Sequence, residues 1–398
     1  MNDTTYEREM TDLALYGGKP IRPTMLPYGH QCIYQSDIAA VVDVLRSDTI
    51  ARGQMIERFE QAVADYCGAK YAVGVSSGTA ALHAACAVAG VQRGSLVLVP
   101  VLTFAATANA AIYCGALPHF ADVKADTLCI DPEKAEWLIC PETRAIIPVD
   151  FAGHPAEMDE IMAIAKKHDL IVIEDACHSL GATYKGRKVG TLADMTCFSF
   201  HPVKAITTGE GGMVVTDNSQ YNQALRQFRN HGIARYADWG YDIESLGYNY
   251  WMSDIAAALG LSQMGKLDEF LDRRMDIVLD YDGAFQDMPE VELLPFDGSV
   301  TSAWHLYVIQ LRLDRLTCDR DTIIAALRAE GIGATVHYKP LHLHSYYQRR
   351  YAYTAGSFPV AEDYYRRAVT LPLFPAMTDQ DVQDVIEAVK KVIGQYKR

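Results

Sequence analysis

The segment LIVIEDACHSLGA (170–182) gives the clearest indication of the fold. Its apolar start, LIVIE, shows no polar alternation, and neither does AIIPV (145–149). Strands that are buried on both faces of a parallel or mixed sheet have this pattern. Asp175 closes the first run at the carboxyl end of the predicted strand, which is the edge where α/β sheets bind ligands. The segment therefore predicts an α/β fold with a ligand site at one sheet edge.

Strand-like runs alternate with helical segments across residues 70–220. The predicted strands cover 71–77, 95–100, 117–123, 144–153, 170–176, 195–200 and 211–217. The predicted helices cover 36–47, 55–67, 77–90, 106–115 and 157–169. The first of these has Ile38, Val41, Val42 and Leu45 on one face, with Ser36 as its candidate N-cap. This alternation predicts a mostly parallel mixed sheet between layers of helices.

The pattern of predicted strands and helices changes after a long helical stretch at 252–285. Strands are predicted at 302–313 and 334–340, and a helix at 319–331. A terminal helix at 378–393 has Thr378 as N-cap and a predicted buried face of Val382, Val385, Ile386, Val389 and Ile393. We therefore expect three parts: an N-terminal segment that packs on the small domain or active site (1–30), a large domain (31–270) and a small C-terminal α+β domain (271–398).

Composition excludes several classes of protein. Asp plus Glu exceed Lys plus Arg by 50 to 36, a formal charge of −14, which disfavours nucleic acid and anionic membranes as partners. The sequence has no run of about 18 apolar residues and no apolar signal-peptide core. Its nine cysteines are scattered and never spaced as CxxC, which argues against a disulfide framework or a metal site. We expect a cytoplasmic protein.

A lysine in SFHPVKAITTGEGG (199–212) is the first candidate catalytic residue. Lys204 lies between two strand-like runs, among mostly apolar neighbours and before a glycine-rich turn. A lysine that is partly withdrawn from water becomes a usable amine nucleophile. The alternative is a solvated surface lysine.

Three other segments end or begin at the same predicted sheet edge. Asp175 could hold a ring nitrogen protonated or could act as a helix N-cap, and His178 could face the same site or be structural. The turn from Ser76 to Thr79 could cradle a phosphate or be ordinary capping. Phe104 could stack on a flat ring or belong to the core. Together with Lys204, these are the parts that hold pyridoxal 5′-phosphate (PLP).

The sequence resembles the DegT/DnrJ/EryC1/StrS family of PLP-dependent sugar aminotransferases over nearly its whole length. The resemblance is carried by several stretches, including FEQAVADYCGAKYAVGVSSGTAALHAA, VPVLTFAATANAA, VIEDACHSLGATYKGRKVGTLAD, SFHPVKAITTGEGGM and GYNYWMSDIAAALGLSQ. It implies the aspartate-aminotransferase-like fold (PLP-dependent transferase fold type I) and a homodimer with active sites shared between subunits.

The resemblance also implies a role for each matching residue. Lys204 would form the imine with the cofactor, Asp175 would pair with its ring nitrogen, and His178 would lie near its phenolic oxygen. The other implied cofactor contacts are phosphate binding by Ser77, Gly78, Thr79 and Ser199, ring stacking by Phe104, and binding of the neighbouring subunit's cofactor phosphate by Asn249.

Some segments look similar to a subgroup that acts in pseudaminic acid biosynthesis, notably LPYGHQCI (26–33) and VHYKPLHLHSYY (336–347). That similarity implies transfer of an amino group from L-glutamate to C4 of a UDP-linked 4-keto-6-deoxy-N-acetylhexosamine. The implied contacts of the sugar nucleotide are Tyr28, Arg229, His337 and Tyr338.

Four positions depart from the usual patterns: His30, Gln54, Trp251 and Ser345. They leave open a dTDP- or GDP-linked keto sugar, or a keto-cyclitol, as the acceptor. Two other readings are a sugar dehydratase, against which Lys204 argues because that branch has histidine there, and a PLP-binding regulatory protein without catalysis.

Overall fold

A computed structural model describes residues 12–295 and 298–398. These residues form two compact units. The large unit contains residues 33–271 and 298–303, and the small unit contains residues 12–32, 272–295 and 304–398. The boundary falls inside one long helix, Leu267–Phe285. The first eleven residues of the expected N-terminal segment lie outside the described part of the chain.

The strands are numbered along the chain. They are β1 (Tyr71–Val75), β2 (Leu96–Pro100), β3 (Leu117–Ala121), β4 (Thr143–Ile146), β5 (Ile171–Asp175), β6 (Thr183–Tyr184), β7 (Arg187–Lys188), β8 (Met195–Ser199), β9 (Gly212–Thr216), β10 (Ile233–Ala237), β11 (Gly240–Ile243), β12 (Val291–Leu293), β13 (Val300–Thr301), β14 (Tyr307–Leu311) and β15 (Ala368–Leu371).

The α-helices follow the same convention. They are α1 (Gln35–Leu45), α2 (Gln54–Cys67), α3 (Gly78–Val88), α4 (Ala105–Tyr113), α5 (Pro132–Trp137), α6 (Met158–His168), α7 (Ser219–Phe228), α8 (Asp254–Met264), α9 (Leu267–Phe285), α10 (Arg320–Ala329), α11 (Ser345–Tyr351), α12 (Pro359–Arg367) and α13 (Asp379–Tyr396).

The large unit is built on a seven-stranded sheet in the order β1-β9-β8-β5-β4-β2-β3. Strands β8, β5, β4, β2 and β3 run parallel, whereas β9 is antiparallel to both β1 and β8. Every residue of β9 and all but the first of β5 are buried, as the unbroken apolar runs require. The predicted mostly parallel mixed sheet is therefore confirmed.

The core of the small unit lies between an antiparallel sheet, β12-β14-β15, and the helices α10 and α13. Helix α13 begins with a capping box, in which the Thr378 hydroxyl accepts from the Asp381 N–H at 3.1 Å and the Thr378 N–H donates to the Asp381 carboxylate at 2.8 Å. The five side chains predicted to form its apolar face are all buried, so that prediction is confirmed.

The described part of the N-terminal segment pairs with the small unit. Leu26 donates its N–H to Gly331 at 2.9 Å and accepts from Gly333 at 2.8 Å. Arg22 forms ion pairs with two carboxylates of α13, those of Asp381 at 2.7 Å and Asp384 at 2.5 Å. This segment is therefore held to the small unit by both backbone and side-chain bonds.

Two local predictions, the N-cap of helix α1 and the strand at 334–340, were wrong. Helix α1 has Tyr34 as its N-cap rather than Ser36, and it leaves Ile38 and Leu45 47% and 56% exposed. Asp37 is buried instead, because Ser262, Gln263 and Lys266 all bond its carboxylate at 2.6 to 2.8 Å. Charge pairing therefore sets the buried face of this helix.

The predicted strand at 334–340 is only a single β-bridge. Thr335 exchanges two backbone hydrogen bonds with Thr370 of β15, at 3.1 and 2.8 Å, and the pairing goes no further. Strand β15 pairs along its whole length with β14 on its other side. In the described ranges, no helix is both long enough and apolar enough to cross a membrane.

Candidate active site

Asp175 is the last residue of β5 and lies at the carboxyl edge of the parallel strands. Its side chain is 5% exposed. The Thr107 hydroxyl donates to Oδ2 at 2.7 Å, and the Cys177 N–H donates to Oδ1 at 3.3 Å. The carboxylate is thus held in place by hydrogen bonds to both oxygens, which makes it a fixed acceptor for a ligand N–H.

Thr103 and Thr107 are site residues that the sequence interpretation missed. They flank Phe104 in the motif TFAAT (103–107), and their hydroxyl oxygens lie 2.7 Å apart. Thr103 lies just before the N-cap Phe104 and Thr107 lies in the first turn of α4, so their nearness in sequence to the expected stacking residue was the available signal.

The turn between β1 and α3 forms a cradle that only glycine permits. The Ser77 hydroxyl caps α3 by accepting from the Ala80 N–H at 3.1 Å. A Cβ atom on Gly78 would lie 2.8 Å from the Cβ atom of Ser199, at the end of β8. The start of α3 and the end of β8 are therefore in close contact, and free N–H groups at such a helix start suit a phosphate.

Lys204 lies in the loop between β8 and β9 and is half-buried. Its N–H donates to the His201 carbonyl at 2.9 Å, so the backbone makes a tight turn here. Burial and the Asp175 charge raise the pKa of the Cys177 thiol well above its usual value, and the positive charge of Lys204 opposes this rise. Lys204 therefore interacts electrostatically with Cys177, two residues beyond Asp175.

The other residues that are expected to bind the cofactor differ in how exposed they are. Phe104 is the N-cap of α4 and is 60% exposed, so it is not the core aromatic that the sequence allowed as an alternative. His178 is buried in the turn after β5, and Thr79 is half-buried in the first turn of α3. Asn249 is exposed and forms a β-bridge with Asn230, and its expected contact would be on a neighbouring subunit.

Two other carboxyl groups, those of Asp150 and Glu174, are buried beside Asp175. Asp150 accepts from the Ser179 hydroxyl at 2.5 Å and from the Ala156 N–H at 3.0 Å. Burial raises the pKa of Asp150 to about 7 and raises that of Glu174 well above its usual range. The Asp175 charge also raises the pKa of Asp150, and the Asp150 charge raises that of Glu174, so this pair retains a proton at pH values where ordinary carboxyls have lost theirs.

The expected substrate residues Tyr28, His337 and Tyr338 form one cluster in the small unit. The ring centroids of Tyr28 and His337 are 5.0 Å apart, and those of His337 and Tyr338 are 4.9 Å apart. The His337 Nδ1 atom lies 3.0 Å from the Thr370 hydroxyl, and the Leu373 N–H donates to the Tyr28 carbonyl at 3.1 Å. These contacts hold the aromatic cluster against β15.

Arg229 is not placed for the substrate contact that the resemblance implied. It is 3% exposed and donates to the Glu60 carboxylate at 2.5 Å and to the Gly74 carbonyl at 2.7 Å. Its guanidinium also lies 4.0 Å from the ring centroid of Trp251. The arginine is therefore committed to an internal ion pair and a cation–π stack, and we withdraw it as a candidate.

Trp251, one of the four unusual positions, has a structural explanation. Its indole N–H donates to the Asn230 side chain at 3.0 Å while Arg229 covers its ring. The three other departures, His30, Gln54 and Ser345, are exposed, and Gln54 and Ser345 are the first residues of α2 and α11.

These residues fit PLP. The close approach of Gly78 to Ser199 leaves backbone rather than side chain at the start of α3, where a phosphate would bind. Asp175 presents a restrained carboxylate for a ring N–H, Phe104 presents an exposed ring, and Lys204 presents an amine. Phosphate cradle, ring partner, aromatic surface and lysine on one fold define the class of PLP-dependent aminotransferases.

Comparisons with known proteins agree with this class. Residues 31–390 match the model of the DegT/DnrJ/EryC1/StrS aminotransferase family, so the chain belongs to that family. Aminotransferases of this family depend on PLP, and structures of relatives include a PLP form. The protein is therefore a PLP-dependent nucleotide-sugar aminotransferase.

Individual relatives are similar over almost the whole chain. The spore coat polysaccharide biosynthesis protein SpsC of Bacillus subtilis is 42% identical over 94% of this chain and 98% of its own. A UDP-4-amino-4,6-dideoxy-N-acetyl-β-L-altrosamine transaminase of Campylobacter jejuni is 40% identical over 94% of this chain and 99% of its own. The crystal structure of Helicobacter pylori PseC, an aminotransferase of pseudaminic acid biosynthesis, is 33% identical with a TM-score of 0.89, covering 94% of this chain and 100% of PseC.

Proposed function

We propose that this enzyme transfers the amino group of L-glutamate to C4 of a UDP-linked 4-keto-6-deoxy-N-acetylhexosamine. The observation that carries the proposed amino-transfer chemistry is the close approach of Gly78, Ser199 and Cys177 at the sheet edge where Asp175 ends β5. Lys204 interacts electrostatically with Cys177 of this group. The acceptor is supported by the similarity to a C. jejuni transaminase named for a UDP-linked 4-amino-4,6-dideoxy sugar.

PLP, when bound, supplies an electron sink for the carbon that loses a proton. Asp175 would keep the ring nitrogen protonated, because its buried carboxylate already accepts donors on both oxygens and is fixed in direction. Gly78, Thr79 and Ser199 would bind the phosphate, and Phe104 would cover one face of the ring and exclude water from it.

Lys204 would do the proton transfer. Its Nζ atom, free once the amino donor has taken its place, would accept the proton from the α-carbon of glutamate. A water molecule would then release glutamate as its keto acid, and the amino group would remain on the cofactor. In the second half of the reaction the amino group would pass to the keto carbon of the sugar with loss of one water molecule, and Lys204 would donate a proton to that carbon. We therefore expect ping-pong kinetics.

The small unit would supply sugar recognition. Tyr28, His337 and Tyr338 form an aromatic cluster in which the ring of the buried His337 lies about 5 Å from each of the two tyrosine rings. Aromatic and imidazole groups of this kind offer both apolar faces and hydrogen-bonding edges, which suits the mixed polarity of a hexosamine. We propose this cluster as the sugar-nucleotide contact of the enzyme.

We also propose that the enzyme works as a homodimer in which Asn249 reaches the neighbouring subunit's cofactor phosphate. The apolar face of α1, with Ile38 and Leu45 largely exposed in the single chain, supports a covering partner of the same kind. The double variant I38E/L45E should therefore sediment as a monomer, and sedimentation like that of the wild type would contradict this interface.

The substrate is tested by mass spectrometry of reactions with glutamate and a panel of keto sugars. The panel contains UDP-, dTDP- and GDP-linked 4-keto and 3-keto sugars and a keto-cyclitol. We expect the mass change for replacement of a keto group by an amino group only with the UDP-linked 4-keto-6-deoxy-N-acetylhexosamine. Amination of another member alone would reassign the acceptor, and amination of none, together with no change in cofactor absorbance on adding glutamate, would contradict the enzyme function.

A further inference from the structure

Three buried side chains form a line of hydrogen bonds behind the expected ring partner. Thr103, Thr107 and Asp175 are 2%, 0% and 5% exposed. The two hydroxyl oxygens are 2.7 Å apart, and the second is 2.7 Å from Oδ2 of Asp175. The line lies inside the large unit, where α4 meets the end of β5.

The chemistry of the groups fixes the direction of both bonds. An ionised carboxylate only accepts hydrogen bonds, so the single proton of the Thr107 hydroxyl is donated to Asp175. Thr107 can then only accept from its other neighbour, and Thr103 must donate to it. Successive donors aimed at one charge polarise each other, so the pair stabilises the negative carboxylate more than one hydroxyl would.

We propose that Thr107 is a positioning residue for the cofactor: its hydroxyl, oriented by Thr103, holds the Asp175 carboxylate ionised and aimed at the ring nitrogen. The inference rests on the proposed role of Asp175 and names the device that supports it. Since Asp175 has almost no access to water, loss of the hydroxyl would leave Oδ2 without a donor. The proton would then be held less firmly on the cofactor ring.

Titratable groups that interact electrostatically with Asp175 include one on each of four segments. They are Cys86 of α3, Cys197 of β8, Cys177 in the turn after β5, and Asp150 after β4. Burial raises the pKa of the three thiols well above their usual value, so they stay neutral near pH 7. Asp150, with its pKa raised to about 7, titrates near neutrality, and because the Asp175 charge contributes to that rise, all variants are compared over the same pH series.

The test compares Thr107→Val, Thr107→Ser and Thr103→Val with the wild-type enzyme. Two readouts are used: the affinity of the PLP-free protein for PLP, and NMR of the ring nitrogen in isotope-labelled PLP bound to the enzyme across a pH series. We expect Thr107→Val to weaken PLP binding by about tenfold to a hundredfold, as loss of a hydrogen bond to a charged group does. The ring nitrogen should also hold less of the proton that it shares with Asp175, because the carboxylate becomes the stronger base, whereas Thr107→Ser, which keeps the hydroxyl, should behave nearly as the wild type.

Thr216→Val is the matched control. Thr216 is also a buried threonine of the large unit, and its hydroxyl donates to the Asp194 carbonyl at 2.7 Å. Its loss should cost stability without changing PLP affinity or the ring proton. If Thr107→Val does not fold, Thr103→Val carries the test, with an expected loss of PLP affinity of several fold.

Asp175→Asn separates failure of this inference from failure of the proposed function. If Asp175→Asn lowers the ring protonation and Thr107→Val or Thr103→Val does not, the threonines have no positioning role and the inference is overturned. If Asp175→Asn itself leaves ring protonation unchanged, the assigned role of Asp175 is wrong and the inference fails with it.

Discussion

The backbone of Gly78 packs so closely against Ser199 that a Cβ atom on the glycine would lie 2.8 Å from the Cβ atom of the serine. Real Cβ atoms do not approach so closely, so a side chain at residue 78 would push apart the start of α3 and the end of β8. The sulfur atom of Cys177 would lie 3.3 Å from the same added Cβ atom. One glycine thus sets the spacing of three chain segments at the sheet edge.

Gly78→Ala should therefore weaken PLP binding by at least about tenfold, because the added methyl group displaces Ser199 and narrows the phosphate cradle. The measurement is titration of the PLP-free protein with PLP, followed by absorbance. Gly283→Ala is the control, since Gly283 is on α9 with open space around its Cβ position. The control should retain wild-type affinity, and equal affinity of both variants would contradict the cradle.

Lys204→Ala should abolish transamination and the covalent link to the cofactor. Reduction of the PLP-loaded enzyme with borohydride, followed by peptide mass spectrometry, should label residue 204 in the wild type and leave the variant unlabelled. Stability should change by less than about 1 kcal/mol, because this lysine is only half-buried. Lys167→Ala, on an exposed lysine paired with Glu136, should keep full activity, and a label at any lysine other than Lys204 would overturn the assignment.

The sequence was sufficient where the signal is local. Most strand and helix ranges around the large sheet follow from apolar runs and turn residues, although the strand predicted at 144–153 ends at Ile146. The α13 face follows from its 3.6-residue period. The position of Asp175 follows in the same way, because the end of a buried strand places it at the sheet edge. In each case neighbouring residues alone determine the outcome.

The burial of Arg229 and the buried face of α1 could not be predicted, because residues distant in sequence determine both. Glu60, 169 positions from Arg229 in sequence, pairs with the arginine and buries it. Asp37, bonded to Lys266 across 229 positions, turns the charged face of α1 inwards. A pairing of this kind leaves no periodic pattern near either residue, so only the folded structure shows it.

Arg229→Met tests whether this arginine is structural. Removing the arginine leaves the buried Glu60 carboxylate with the Gly74 N–H and with Arg226, which is 40% exposed. We expect the free energy of unfolding to fall by about 3 kcal/mol, the usual cost of breaking a buried pair. The KM for the sugar nucleotide should stay unchanged well below the unfolding temperature.

Urea denaturation and steady-state kinetics provide both measurements. Arg235→Met, at an exposed arginine, is the control and should change stability by no more than about 0.5 kcal/mol. A variant of Arg229 with normal stability and a strongly raised KM would return this residue to the substrate site.

The buried carboxyl of Asp150 predicts how stability depends on pH. Burial raises its pKa from 3.8 to about 7 in the folded protein, and the negative charge of Asp175 acts in the same direction. Between these two values the folded state keeps a proton that the unfolded state has lost. The free energy of unfolding should therefore fall as pH rises from about 4 to 7, and the stabilisation by the bound proton should be absent above pH 7.

Asp150→Asn should flatten this dependence, because an amide stays neutral at every pH and its NH₂ group can donate where the protonated carboxyl did. Glu174, whose pKa is also raised by burial, remains in the variant, so the slope should decrease and not vanish. The stability of Asp150→Asn relative to that of the wild type should be highest above pH 7, where the buried Asp150 carboxyl of the wild type is ionised. Urea denaturation at a series of pH values measures the slope, and identical slopes for the two proteins would show that Asp150 is ionised in the fold.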